Sequence, residues 1–122
     1  MGHVYVKTIL ANPTDDELTS SVDAMVDTGA AFTVVPRALA RTLKLPIAGS
    51  RTVRMATGPV SLPMARAMIQ IDGEREVNRV LISETIEKVL IGVITLETFS
   101  LTVDPTSGEL REAEAYLLQV MA

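Results

Sequence analysis

Cysteine and tryptophan are both absent from the 122 residues. Without cysteine the chain has no disulfide, no thiolate nucleophile and no sulfur ligand for a metal. Histidine occurs once, at His3. A Ser-His-Asp triad or a histidine-based zinc site would have to be assembled on that residue, so neither is expected, and no metal or cofactor is expected. Positive charge is also short: 11 Lys and Arg face 15 Asp and Glu, for a net charge of −4. Nothing in that balance recruits nucleic acid or an anionic membrane. The apolar run Val89-Leu90-Ile91-Gly92-Val93-Ile94 is far too short to span a bilayer, and no basic stretch followed by an apolar one opens the chain. A soluble, cytoplasmic protein is the expectation. The seven glycines form neither a dinucleotide fingerprint nor a phosphate loop, and the acidic residues lack the spacing of a calcium loop.

What is present is apolar. Hydrophobic residues make up 48% and charged residues 21%, with a mean hydropathy of +0.31. Such a chain is not disordered, and its length suits one domain spanning residues 1–122. It is apolar enough for its size that part of its surface is expected to need a partner chain.

Alternation and turn chemistry predict a mostly β chain with one or two short helices. Residues 3–10 alternate and carry Val4, Tyr5, Val6, Thr8 and Ile9, a strand pattern. A turn cluster over 12–17 separates it from a second strand over 18–26, which runs into Asp27-Thr28-Gly29. Residues 32–35 are short, apolar and β-prone. Pro36 then opens a helical stretch to Leu43 with basic residues toward its end. Residues 52–55 and 60–62 flank Ala56-Thr57-Gly58-Pro59, a hairpin by turn chemistry. A strand over 65–71 returns over 76–82 across Asp72-Gly73. Leu90-Ile91-Gly92 leads into a helix over 93–99, and 101–103 pairs with 110 onward. A last apolar stretch, 116–121, reads as a strand. The order strand, Asp27-Thr28-Gly29, strand, helix is echoed by strand, Leu90-Ile91-Gly92, helix, which suits a small closed β-structure with approximate two-fold symmetry.

Asp27 is the residue most open to a chemical role. It ends an apolar strand between Met25, Val26, Ala30, Ala31 and Phe32, where burying a carboxylate without a partner would be costly. Taken alone, Asp-Thr-Gly is also an ordinary turn. Asp15, Asp16, Glu17, Glu109, Glu112 and Glu114 read as solvated charges. Arg51 and Arg54 fit either an acidic substrate beside the hairpin or plain exposed strand positions. Met55 and Met64 fit either a pocket lining or core filling.

Val26-Asp27-Thr28-Gly29-Ala30 resembles the active-site loop of the retropepsin-like aspartic proteases, the retroviral-type family and its stand-alone cellular relatives. The helix after Pro36, the 53–60 hairpin, Leu90-Ile91-Gly92 and the 101–110 hairpin follow in that family's order. The resemblance implies a closed β-barrel subunit acting as a homodimer, with a peptide or protein as substrate. Asp27 would be catalytic, as half of a dyad. Thr28 and Gly29 would support it, Thr28 by a hydrogen bond across the dimer. Gly29, Ala30, Ala31 and the flap residues Met55, Ala56, Thr57 and Gly58 would bind substrate. The termini, 4–9 and 116–121, are the expected interface strands. Two departures stand out: many retroviral members have aspartate where this chain has Ala31, and Arg-Asp where it has Val93-Ile94. The substrate grip and bracing ion pairs of the viral enzymes therefore do not carry over. A catalytically silent dimerisation or peptide-binding module is the alternative, and a small barrel whose triplet is coincidental is a third reading.

Overall fold

Residues 3–113 are described by the structure, a computed structural model. The first two strands, β1 (Val4–Asn12) and β2 (Asp15–Val26), form an antiparallel hairpin. A short strand β3 (Thr33–Pro36) leads into helix α1 (Arg37–Thr42), and β4 (Ile47–Met55) and β5 (Gly58–Ile71) form a second hairpin. Strand β6 (Glu74–Ser83) returns along β5, and β7 (Leu90–Ile91) precedes helix α2 (Val93–Thr98). Strands β8 (Leu101–Val103) and β9 (Leu110–Glu112) make a separate antiparallel pair.

The sheet closes on itself. Its order is β1-β2-β7-β3-β6-β5, and β5 pairs back onto β1 through Leu10 and Ile69. The inward face carries Leu10, Ala24, Val26, Val35, Ile69, Ile71, Val80 and Ile91, all buried. Ala65 and Ala67, also fully buried, keep the closure tight, as small residues do where a barrel tapers. Strand β5 serves two structures. Residues from Met64 onward pair with β6, while those up to Ala65 pair with β4, which lies outside the ring. The β4–β5 hairpin is thus an arm projecting from the barrel, and all of β4 except Val53 is exposed. No helix among the described residues is long and apolar enough to cross a membrane.

Several boundaries differ from the sequence expectation. The first turn needs only Pro13-Thr14, because Asn12 lies opposite Asp15. Buried Asn12 accepts the Thr14 N–H at 2.9 Å on Oδ1 and donates from Nδ2 to the Leu43 and Lys44 carbonyls at 3.0 and 2.7 Å. A residue read as part of a turn thus pins the end of α1 to β1. The arm likewise turns on Ala56-Thr57 alone, with Gly58 and Pro59 already paired to Met55 and Arg54. Proline fits there because beyond the ring this half of β5 has a neighbour on one side only. Strand β1 is a barrel strand, paired to β2 along its length, and the predicted strand at 116–121 lies outside the described residues. The Asp72-Gly73 turn is as expected, with φ of 50° and 82°, the left-handed pair that a two-residue hairpin favours.

Helix α1 ends in a Schellman turn: the Lys44 N–H donates to Arg41 O and the Leu45 N–H to Ala40 O, both at 3.0 Å. Lys44 takes the left-handed position, with φ 51°, where glycine is the favoured residue. Replacing Lys44 by glycine should therefore raise unfolding free energy by about 0.5–1 kcal/mol, the left-handed penalty less the greater freedom of an unfolded glycine. Urea denaturation of the two proteins measures it; a loss of stability would mean that the lysine stem packs more than it strains.

The β8–β9 turn is held by Asp104, whose Oδ1 accepts the Thr106 and Ser107 N–H groups at 2.8 and 3.3 Å. The Thr106 bond first, then Ser107 and the Arg111 guanidinium, hold that carboxyl below the usual carboxylate range. A lowered value means that the turn gains from ionised Asp104 above the ordinary aspartate range and loses that gain as pH falls through the lowered value. Amide hydrogen exchange at Thr106 and Ser107 should accelerate over that acid window, beyond the intrinsic change, and Asp104→Ala should remove the dependence.

Candidate active site

Two chain segments meet at the open end of β2 and are sewn together by backbone. The Met25 N–H donates to Val89 O and the Asp27 N–H to Ile91 O, each at 2.9 Å. In return the Val93 N–H donates to Ala30 O at 2.9 Å and the Ile94 N–H to Ala31 O at 3.0 Å. Strands β2 and β7 run parallel there, with Met25 beside Leu90 and Val26 beside Ile91. The faint sequence echo is therefore a real pairing: the Asp27 loop and the Gly92 loop lie side by side.

Gly92 makes the crossing possible. A Cβ on it would sit 2.5 Å from both the carbonyl carbon and oxygen of Phe32 and 2.7 Å from Ala31 O. Those are backbone atoms that cannot swing away. Beneath them, Thr33 Oγ1 accepts the Gly92 N–H at 3.0 Å and shares a 2.6 Å hydrogen bond with Thr95 Oγ1. Both threonines are buried, so each depends on the other for its polar group. Sequence reading passed over this pair; a threonine in each of two matching post-loop segments was the available signal.

Asp27 stands half-buried on this platform. Its Oδ1 accepts the Gly29 N–H at 2.9 Å, and its carbonyl accepts the Ala30 N–H at 3.1 Å. A Cβ on Gly29 would come 3.2 Å from Oδ1, so glycine lets the carboxyl keep that position. Thr28, Gly29 and Ala31 are exposed and Ala30 is half-buried, so the whole loop presents itself outward. One oxygen of the carboxyl is oriented by the chain itself, and the side chain remains open to solvent.

Beside the loop lies an apolar row that the sequence did not reveal. Met25, Leu90, Val34, Leu81 and Met64 are cross-strand neighbours in that order over β2, β7, β3, β6 and β5. They point away from the core residues Val26, Ile91 and Val35; Met25, Leu90, Val34 and Met64 are half-buried, and Leu81 is buried. Only the register of five strands brings them together.

The remaining sequence candidates sit on the arm. Met55, Ala56 and Thr57 are exposed at its tip and Gly58 is half-buried. Met55 and Thr57 line a cavity against α1 whose walls include none of Asp27, Thr28, Gly29, Ala30 and Ala31. The two groups of candidates are thus not gathered into one pocket within the chain. A single contact does link arm and loop: the Arg51 guanidinium lies 5.4 Å from the Phe32 ring centroid, a cation–π geometry. Arg54 is exposed, as a strand position would be.

A closed barrel, an Asp-Thr-Gly loop crossed with an apolar-apolar-glycine loop, and a projecting hairpin define a retropepsin-like aspartic protease fold. The chain belongs to the family described as "gag-polyprotein putative aspartyl protease", whose profile matches residues 19–98. Among solved structures it is similar to EIAV protease complexed with the inhibitor HBY-793, at 16% identity, covering 95% of this chain and 94% of that one with a TM-score of 0.67. It is also similar to the simian foamy virus (mac) protease, at 15% identity, covering 78% and 93% with a TM-score of 0.57. No curated protein matches the chain.

Gly92→Ala should destabilise the protein by about 3 kcal/mol or more, at or above the upper end of ordinary overpacking, because the colliding atoms are backbone. Thr95→Val, which keeps the shape but leaves the Thr33 hydroxyl with only the Gly92 N–H as partner, should cost about 0.5–1.5 kcal/mol. Thermal and urea unfolding compare the two with wild type; a neutral Gly92→Ala would show that the loops are not packed this closely.

Proposed function

We propose that the protein is an aspartic endopeptidase working as a homodimer. The observation that carries this is Asp27, one per chain, oriented by the Gly29 N–H and open to solvent on a rigid platform. One carboxyl cannot act as base and acid together. Two copies meeting about a two-fold axis can, because two carboxyls within hydrogen-bond reach share one proton. The ionised Asp27 takes a proton from water as its oxygen attacks the peptide carbonyl carbon. The protonated copy gives its proton to the carbonyl oxygen, so a neutral tetrahedral diol forms. When the diol collapses, the carboxyl now protonated gives its proton to the amide nitrogen, the other carboxylate takes a proton from a diol hydroxyl, the C–N bond breaks and the dyad returns to its shared-proton state.

Other features support the reading. Thr28 is exposed beside Asp27, so its hydroxyl is open to a bond with the second copy. Among the described residues β8 and β9 pair only with each other, so a second copy can extend that sheet. The half-buried Met25, Leu90, Val34 and Met64 offer apolar substrate side chains a floor, and the arm provides the cover. Ala31 offers no carboxylate to the substrate backbone, so grip falls to backbone groups of the loop and to the arm. The cysteine-free sequence fits a reducing, cytoplasmic setting.

Asp27→Asn should abolish cleavage of a peptide library while leaving the dimer intact or tighter. Asparagine keeps the hydrogen-bonding shape but neither activates water nor passes a proton. Replacing the two facing carboxyls also removes their mutual repulsion, so the mutant dimer should be at least as tight as wild type. Sedimentation equilibrium of both forms, beside the digest, reads both outcomes: a mutant that still cuts ends the assignment to Asp27. Wild type that dimerises and binds peptides but never cuts favours a silent binding module.

A further inference from the structure

Strand β3 carries the chain away from the Asp27 loop to a second concavity. A cavity of about 800 Å³ opens between α1 and the arm. Ile47, Met55 and Leu62 give it an apolar wall, while Arg37, Arg41 and Lys44 give it a cationic one. Glu84 is the one acid among the lining residues, and it is ion-paired with Arg37. Among the described residues neither Arg41 nor Lys44 has an ion-pair partner. Two surplus positive charges thus border one cavity on a chain whose net charge is −4.

Lys44 makes the arrangement more pointed. It occupies the left-handed position that ends α1, with φ 51°, so the chain carries a lysine where glycine would be less strained. Strain kept at a cavity wall points toward a use for the side chain. The cavity also borders the arm, which is the cover for substrate in the peptidase reading. Since Met55 and Thr57 belong to the wall, whatever fills the cavity also touches the tip of the arm.

We propose that this cavity is a specificity pocket for an acidic residue of the substrate, away from the bond that is cut and beneath the arm. The Asp or Glu carboxylate lies between Arg41 and Lys44, and its neighbouring carbons rest on the apolar wall of the arm. The proposal rests on the peptidase reading. Two partly exposed charge pairs should favour acid over amide by roughly five- to tenfold, and added salt should weaken the preference.

Peptides identical except for Asp against Asn, or Glu against Gln, at each of the first five positions on either side of a cleaved bond test this through kcat/KM. Wild type should prefer the acid at one of these positions, by roughly five- to tenfold at low salt and less at high salt. In the Arg41→Gln/Lys44→Gly double variant the acid-to-amide ratio should fall to near one. Lys44→Gly relieves strain, so a melting curve separates a lost pocket from a lost fold. A second measurement uses full-length Asp27→Asn protein, with and without the two pocket substitutions, and fluorescent versions of the same peptides in an anisotropy titration. Cleavage with no acid preference, or with a preference that survives in the double variant, overturns the pocket and leaves the peptidase standing. Acid-selective binding abolished by the double variant, in a protein that cuts nothing, upholds the pocket and overturns the peptidase. Absence of both cleavage and acid-selective binding overturns both.

Discussion

Two loops from distant parts of the chain pass each other with no room for a single carbon, and this contact organises the molecule around Asp27. The Gly92 Cα lies against the Phe32 carbonyl so closely that any side chain would overlap it. The hydrogen bonds from Asp27 to Ile91 and from Val93 back to Ala30 follow from that approach. They pair the Asp27 N–H and the Ala30 and Ala31 carbonyls where the two loops touch, as half-buried backbone requires. With the loop so held, the Gly29 N–H can orient one carboxyl oxygen without help from any other side chain. The catalytic role proposed for Asp27 needs placement within a fraction of an ångström, and backbone supplies it.

Strand β5 links that rigid centre to the more exposed part of the fold. Its second half is a fully enclosed barrel strand, with Ala65, Ala67 and Ile69 at 0% exposure. Its first half has only β4 for company and carries Pro59 and Pro63. The arm therefore borrows its direction from the barrel while sharing little of its burial. Segments of that kind open at low free-energy cost, which suits the covering role proposed for the arm. The Arg51–Phe32 contact, worth about 0.5–1 kcal/mol at an exposed site, is of the right size to bias the arm without locking it.

Stability and recognition pull against each other at the end of α1. Asn12 satisfies the last carbonyls of the helix, and the Schellman bonds complete its end. That network tolerates a lysine in the glycine position because it fixes the backbone on both sides. The result places a cation on the cavity wall at a modest conformational cost. Such exchanges of stability for a placed charge are common where a protein meets its ligand.

Local chemistry decided much of the fold in advance. Alternation in residues 3–10, the Asp72-Gly73 turn, the proline opening α1 and the Asp-Thr-Gly triplet each express a preference that a few neighbouring residues carry by themselves. Most strands and turns were therefore legible, although β4 begins at Ile47 and β5 runs unbroken from Gly58 to Ile71, and the triplet with its echo at Leu90-Ile91-Gly92 marked the candidate site. The role of Asn12 was not legible, since its partners at Leu43 and Lys44 lie more than thirty residues away. Nor was the Thr33–Thr95 hydroxyl pair, separated by 62 residues, or the apolar row from Met25 to Met64, which exists only through the register of five strands. The α1 cavity likewise needed the arm to be laid against a helix. Pattern within a segment follows from backbone sterics and burial, which act over a few residues. Which segments become neighbours depends on closing the barrel, and that is a property of the whole chain.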